Sequence, residues 1–251
     1  MSNESYKIPK LIFQTFESSN FSNEFQNIIN SWKIKNPDYK YIFHDKNDRV
    51  NFLTSNFEPK VINAYNKIIP GAYKADLWRY CVLYTYGGVY ADIDTLCFSS
   101  IDSFLNNDIE LMAPIDLNTT PSDGPHNVAN GFIAVIPKSP IMLDCINQVV
   151  HNVENNIVPI SKINFSGPGI LGRSINKYLH LPETESIVGK EGIINNIHLL
   201  HFEPVTEYIM DKNRNILFQN KNGNSEINKL YEIEMRKNNV TLWTLEPRVL
   251  R

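Results

Sequence analysis

Residues Lys74–Thr95 read KADLWRYCVLYTYGGVYADIDT, and the fold depends on how this stretch is parsed. Its first half has helical spacing. Ala75, Trp78, Val82 and Tyr86 share one apolar face, and Gly87 is a natural helix C-cap. From Gly88 to Asp92 the chain then reads as a strand. A buried strand that ends on carboxylates places polar groups at the carboxyl edge of a sheet, where open α/β sheets bind their ligands.

Working outward, KLIFQT (Lys10–Thr15) reads as a first, buried strand. Phe25, Ile28, Ile29 and Trp32 fall at helical spacing, and Asn36-Pro37 closes that helix. YKYIFHD (Tyr39–Asp45) reads as a second strand, so the chain begins with a βαβ unit and a parallel pair. Helices are expected at Asn47–Thr54 and Pro59–Ile69 upstream of the opening stretch, and at Pro140–Asn152 and Leu171–Leu179 downstream. Later strands are expected at Ile109–Ala113, Gly131–Ile136 and Ile197–Phe202, and a polar turn at Asn220–Ser225. The fold class is α/β. One domain over residues 1–251 is expected, with a mostly parallel central sheet flanked by helices.

The chain has 251 residues, 42% of them hydrophobic, which is enough for a sizeable core. A net charge of -3 gives no sign of a nucleic-acid or membrane-surface binder. Cys81, Cys97 and Cys145 form no C-x-x-C pair and read as small apolar residues in a reducing compartment. There is no apolar run long enough for a membrane span, and MSNESYKIPK does not read as a signal peptide. A cytoplasmic location in a bacterial or viral setting is the expectation.

Asp92 and Asp94 are separated by one residue, so in an extended strand they point to the same side. Two unpaired carboxylates at one point repel each other, and a divalent cation removes the conflict. Hard oxygen ligands suit Mg²⁺ or Mn²⁺, which keep positions open for water and phosphate. An isolated D-x-D reads more simply as a solvated strand end, but this pair lies inside an apolar region. Asp76 and Arg79, spaced i, i+3, lie on one helix face. They read either as a routine ion pair or as a clamp for neighbouring sugar hydroxyls.

The block Lys74–Thr95 resembles the D-x-D glycosyltransferases of family 32, which include yeast-type initiating mannosyltransferases. The clostridial glucosylating toxins share a related core. IPKLIFQTF, NGFIAVIPKSP (Asn130–Pro140) and SGPGIL (Ser166–Leu171) resemble further blocks of the family in the same order, so the resemblance covers Ile8–Leu171. It implies a GT-A fold, a UDP- or GDP-sugar donor, a Mn²⁺ or Mg²⁺ cofactor and retention of anomeric configuration. It also implies a glycan, glycolipid or protein acceptor. Within the single domain, residues 8–100 would bind the donor, and residues 101–251 would form the acceptor side and close the site.

By matching position, the resemblance makes Asp94 the direct metal ligand. Asp92 becomes a ribose contact and a second metal ligand through water. Asp76 and Arg79 become the holders of donor-sugar hydroxyls. Tyr90 lines the donor pocket, and Gln14, Thr15 and Phe16 lie where the family contacts the base. Phe16 reads as a stacking ring or as an ordinary core aromatic. Lys74 reads equally as a phosphate contact and as a solvated lysine. Asn130 and Gly131 fall on the acceptor side of the donor pocket. Gly167, in Gly167-Pro168-Gly169, reads as an anion cradle or as a plain helix start.

Two departures stand out. Phe13 occupies a position where the family often has His. The closing His and Ser-Trp have only a loose counterpart in NNVTLW (Asn238–Trp243), where Asn238 or Asn239 would replace a metal ligand and Trp243 would close the donor pocket. His198 and His201 compete for the ligand role but read first as strand residues. DIDTL also fits the D-x-D-x-T of haloacid dehalogenase phosphatases, whose first aspartate is a nucleophile. That motif belongs near the N-terminus with a later acidic pair, and neither condition holds here. A nucleotide-sugar binder without transferase activity is the non-enzymatic alternative.

Overall fold

A computed structural model describes residues 7–117, 120, 122–242, 244–246 and 248–251. The first half contains β1 (Leu11–Thr15), α1 (Asn23–Lys35), β2 (Lys40–His44), α2 (Lys46–Asn56), α3 (Pro59–Lys67), α4 (Gly71–Tyr86) and β3 (Gly88–Ala91). The second half contains β4 (Leu96–Cys97), β5 (Leu111–Pro114), β6 (Phe132–Val135), α5 (Pro140–Glu154), α6 (Ile163–Ser166) and α7 (Pro168–Tyr178). It ends with β7 (Gly192–Ile194), β8 (Ile197–Phe202), β9 (Tyr208–Met210), β10 (Ile216–Gln219) and α8 (Ser225–Lys237).

The strands form one curled sheet in the order β2-β1-β3-β6-β5-β8-β9-β10-β4, with β7 on β8. The α/β class holds, but the expected mostly parallel sheet does not. Only β1/β2, β1/β3 and β5/β8 pair in parallel; the other pairings are antiparallel. A parallel pair needs a crossover, and helices lie between the partners of each of those three pairs. The late strands β7, β8, β9 and β10 are instead joined by short turns and loops, which return each strand antiparallel to the one before it.

Strand alternation builds a core on each face of the sheet. Phe13, Tyr90, Ile133 and Val135 face a cluster with α3, α4, α5 and α7. Their neighbours Ile12, Val89, Ala91, Phe132 and Ala134 face a second cluster containing Trp32 of α1. Helix α4 lies in the middle of the first cluster. Instead of a single apolar stripe, it is buried on every side from Asp76 to Leu83, which brings Asp76 and Arg79 inside the protein. Helix α1 starts at Ser22, whose Oγ accepts from the Phe25 N–H. Helix α2 starts with a capping box between Asp45 and Asp48.

The turn from α4 into β3 requires its two glycines. Gly87 and Gly88 have φ of 64° and 99°. A Cβ at Gly87 would lie 2.6 Å from the Pro137 nitrogen, and one at Gly88 would lie 2.9 Å from the Leu11 carbonyl oxygen. The three cysteines are free and buried, as their isolated positions imply. Among the described residues no helix is long and apolar enough to cross a membrane.

Candidate active site

Strand β3 ends at Ala91, and the chain turns immediately. The expected strand geometry for Asp92 and Asp94 is therefore corrected: both lie on the turn beyond the strand. Three donors converge on the Asp92 carbonyl. They are the Thr95 N–H (3.2 Å), the Thr95 hydroxyl (2.7 Å) and the Gln14 side-chain amide (3.0 Å). The Asp92 N–H donates to the Gly131 carbonyl at 2.7 Å. Trp32 of α1 donates its indole N–H to the Thr95 carbonyl at 2.9 Å and faces the Thr95 hydroxyl at 3.2 Å. The turn is thus fixed from β1, α1 and the start of β6 together.

The two carboxylates point to different partners. Asp92 Oδ1 accepts from the Tyr90 hydroxyl (2.6 Å) and pairs with Arg79 Nη2 (3.2 Å). Arg79 Nη2 also reaches Asp76 Oδ1 at 3.2 Å, and Nη1 donates to the Asn130 carbonyl at 2.6 Å. The guanidinium lies 4.3 Å from the centre of the Tyr90 ring. Asp76 Oδ1 also accepts from the Asn130 amide (2.8 Å), and its Oδ2 accepts from the Ser166 hydroxyl (2.7 Å). One guanidinium therefore joins two carboxylates contributed by different elements. Burial and the carboxylate of Asp94 push the Asp92 carboxyl above its usual range, while Arg79 opposes the shift.

Asp94, 6% exposed, pairs through Oδ2 with the Lys221 ammonium. The sheet register explains this partner. Gln219 pairs with Leu96 in the antiparallel β4/β10 ladder, so the chain leaving β10 runs back past Thr95 and Asp94. The expected polar turn at residues 220–225 is a 3₁₀ turn over Lys221–Gly223 followed directly by α8, which Asn224 caps. No sequence signal links Lys221 to Asp94, because the register that joins them is a property of the folded sheet.

Asp76, Arg79, Asp92 and Asn130 open onto a cleft of about 590 Å³ whose far walls carry Asp116, Asp123, Lys162 and Glu207. Gly131 makes close approach possible: a Cβ there would lie 2.8 Å from Asp92 Oδ2. Gly167 lines the same cleft, but the anion-cradle reading is corrected. Its N–H donates to the Ile163 carbonyl, and its carbonyl accepts from Ile170 and Leu171 at the start of α7, so it is a helix start.

Four expected donor contacts are placed behind the site. Gln14 is 0% exposed, with its amide engaged by Asp92 and the Tyr41 hydroxyl. The Thr15 hydroxyl donates to the His44 carbonyl at 2.6 Å and accepts from Arg49 at 2.6 Å. Phe16 packs against Phe21 and Tyr231 in the core. Tyr90 is buried, with its hydroxyl turned to Asp92. These residues hold the site in place, and none of the four lines the cleft onto which Asp76, Arg79 and Asp92 open.

Lys74 lies over the Tyr65 ring and lines a second cleft with Glu17, Ser18, Asn238 and Asn239. Asn238 and Asn239 follow the end of α8, and the Asn238 amide donates to the Glu234 carbonyl, so the structure does not gather them with Asp92 and Asp94. Trp243 lies outside the described residues. His198 and His201 sit on β8 beside Glu191 and Asp211, in a groove apart from Asp92. Among the described residues there is no group of three His, Cys, Asp or Glu side chains suited to a metal. A cation at the turn would rest on Asp92 and Asp94, with its other positions filled by oxygens of a ligand. That donor set suits Mg²⁺ or Mn²⁺.

Residues 22–110 match the family described as "Glycosyltransferase sugar-binding region containing DXD motif". The chain is 25% identical over 186 residues to inositol phosphoceramide mannosyltransferase 3 of Schizosaccharomyces pombe, covering 74% of this chain and 49% of that protein. It is 35% identical over 131 residues to the initiation-specific alpha-1,6-mannosyltransferase of Saccharomyces cerevisiae, covering 46% of this chain and 27% of that one. The chain thus spans about half or less of the length of these relatives. Among solved structures, the PaToxG glycosyltransferase superposes with a TM-score of 0.55 at 18% identity, over 69% of this chain and 70% of that one.

These relatives correct the expected cytoplasmic, bacterial or viral setting. They are proteins of two yeasts, each named as a mannosyltransferase. The expectation rested on the start of a chain that matches only part of its relatives. Its fold is thus of the GT-A type seen in the PaToxG glycosyltransferase, and its residues 22–110 match a glycosyltransferase sugar-binding region that carries the DXD motif.

Proposed function

We propose that the chain is a metal-dependent, retaining glycosyltransferase that moves a hexose from a nucleoside-diphosphate donor to the hydroxyl of a glycan or glycolipid. Mannose from GDP-mannose is the first choice, because the relatives are named as mannosyltransferases. The observation that carries the reading is the joining of Asp76 and Asp92 through Arg79 beside the second carboxylate of the D-x-D turn.

Each side chain then has a role set by its remaining hydrogen-bonding capacity. Arg79 has five N–H groups, and its described partners leave one Nη1–H to donate to a sugar hydroxyl. Asp76 has accepting capacity left on Oδ2 beyond its bond from Ser166. Together they grip adjacent hydroxyls and orient the donor sugar. Asp92 Oδ2 and Asp94 would hold a Mn²⁺ or Mg²⁺ ion, which would neutralise charge on the departing diphosphate. A separate general base is not needed. On the retaining path the acceptor proton passes to the leaving phosphate on the same face. The polar far wall, with Asp116, Asp123, Lys162 and Glu207, suits a polyhydroxyl acceptor. Residues 8–100 contribute most of the donor side and residues 101–251 the acceptor side.

The test is hydrolysis or transfer with GDP-mannose, UDP-galactose, UDP-glucose and UDP-N-acetylglucosamine, each with Mn²⁺, Mg²⁺ or a chelator. Turnover that needs the cation and is lost in Asp94→Ala is expected. Turnover and metal dependence that survive Asp94→Ala would refute the reading.

A further inference from the structure

We propose that Lys221 is a displaceable counter-ion for Asp94, which a divalent cation must evict before the D-x-D turn can hold it. This rests on reading Asp92 and Asp94 as a cation site. The turn presents two carboxylates, yet the sheet register delivers a lysine to one of them. Asp94 is almost fully buried, and a buried charge without a partner destabilises the fold strongly. The Lys221 ammonium supplies that partner. It also sits 4.3 Å from the centre of the Tyr231 ring on α8, a second feature that favours a cation at this point.

The lysine is built to leave. Its backbone is held on both sides, because Gln219 donates to the Gly223 carbonyl and Asn224 caps α8. The four-carbon stem can therefore swing without moving the main chain. An arginine would grip the carboxylate with a rigid fork, whereas an ammonium is a point charge on a flexible stem. Flanking Asn220 and Asn222 line the cleft that contains Asp92, so a displaced Lys221 enters the region where a diphosphate would lie. Competition of this kind lowers the apparent affinity for the cation by the fraction of molecules in which Asp94 is already paired. A phosphate that offers Lys221 another partner releases Asp94, so cation and nucleotide would bind with positive coupling.

The experiment measures Mn²⁺ binding to nucleotide-free protein, by electron paramagnetic resonance of free Mn²⁺, for wild type, Lys221→Met and Lys221→Arg. Lys221→Met is expected to bind Mn²⁺ about tenfold more tightly than wild type, and Lys221→Arg no more tightly than wild type. Binding to Lys221→Met that equals wild type, is weaker or is undetectable would overturn the proposal. If Lys221→Met does not fold, wild-type protein with ¹³C-dimethylated lysines gives the answer. The Lys221 resonance, assigned from its loss in Lys221→Arg, should move on adding Mg²⁺, and a stationary resonance would overturn the proposal. No sugar nucleotide is present in either experiment, so a failure of sugar transfer leaves this result standing.

Discussion

Replacing Gly131 with alanine should separate activity from stability. The added Cβ would lie 2.8 Å from Asp92 Oδ2. An ordinary carbon–oxygen contact is about 3.3 Å or more, so the carboxylate must retreat by roughly half an ångström. It cannot move freely, because Tyr90 and Arg79 hold Oδ1 at 2.6 and 3.2 Å. A rotation of this size costs about 0.5–1.5 kcal/mol in the folded state. Against this, Gly131 does not have a positive φ, and a Gly→Ala change at such a position stabilises by about 0.4–1 kcal/mol through the unfolded chain. The two effects nearly cancel, so Tm should move by no more than about 4 °C. Activity has no such compensation, since the described partners of the Asp92 carboxylate all hold Oδ1 and the displaced Oδ2 is the oxygen proposed to hold the cation. Misplacement of this order should lower kcat/KM by roughly tenfold to a hundredfold. Steady-state donor hydrolysis and a thermal melt on the same preparation decide the matter. An unchanged kcat/KM in folded Gly131→Ala would refute the view that Asp92 Oδ2 acts at the site.

Other outcomes follow from the surrounding framework. Trp32→Phe removes the indole donor from the buried Thr95 carbonyl and should cost about 1–3 kcal/mol, seen in urea denaturation, with a fall in kcat/KM as the turn loosens. Arg49, 1% exposed, pairs with Glu17 and donates to Thr15 Oγ1, the Phe16 carbonyl and the Tyr65 hydroxyl. Arg49→Met should therefore destabilise by about 3 kcal/mol, measured the same way. His126 is buried with both ring nitrogens unpartnered among the described residues, and burial holds its pKa below the ordinary value. Its neutral form stabilises the fold above about pH 6.5, and that contribution is lost as pH falls below this value, because the unfolded chain takes up the proton first. Tm should drop between pH 7 and 5.5, with a shallower drop in His126→Asn.

The parts legible in the sequence were those set by local pattern. The β1-α1-β2 unit follows from hydrophobic period and from the Asn36-Pro37 stop, and observed boundaries lie within about two residues of the reading. Gly87 marks the end of α4 for a steric reason that the structure makes explicit. Asp76 and Arg79 meet because i, i+3 on one helix face is local geometry, and the α4-to-β3 turn brings Asp92 against them on the turn just past the strand. Helix α8 carried a readable signal, an Asn224 cap followed by Ile227, Leu230 and Tyr231 at helical spacing, but it was obscured by a polar background. The antiparallel half of the sheet was not legible, since short strands joined by turns give little periodicity. Lys221 and the supporting role of Gln14 were hidden for another reason. Each depends on a partner far away in sequence, 127 residues for Lys221 and 78 for Gln14.

The convergence of donors on the Asp92 carbonyl bears on the smallest piece of this chain worth isolating. The matched sugar-binding region begins at residue 22 and ends at residue 110. Gln14, which donates to that carbonyl, precedes it; Asn130 and Gly131, which hold Arg79 and the Asp92 N–H, follow it. A fragment cut at those borders would retain every acidic residue of the motif and lose the scaffold that aims them. During synthesis the first strand and helix must wait for residues made more than a hundred positions later before the turn can set. The recognisable motif and the working unit are therefore different lengths of polypeptide.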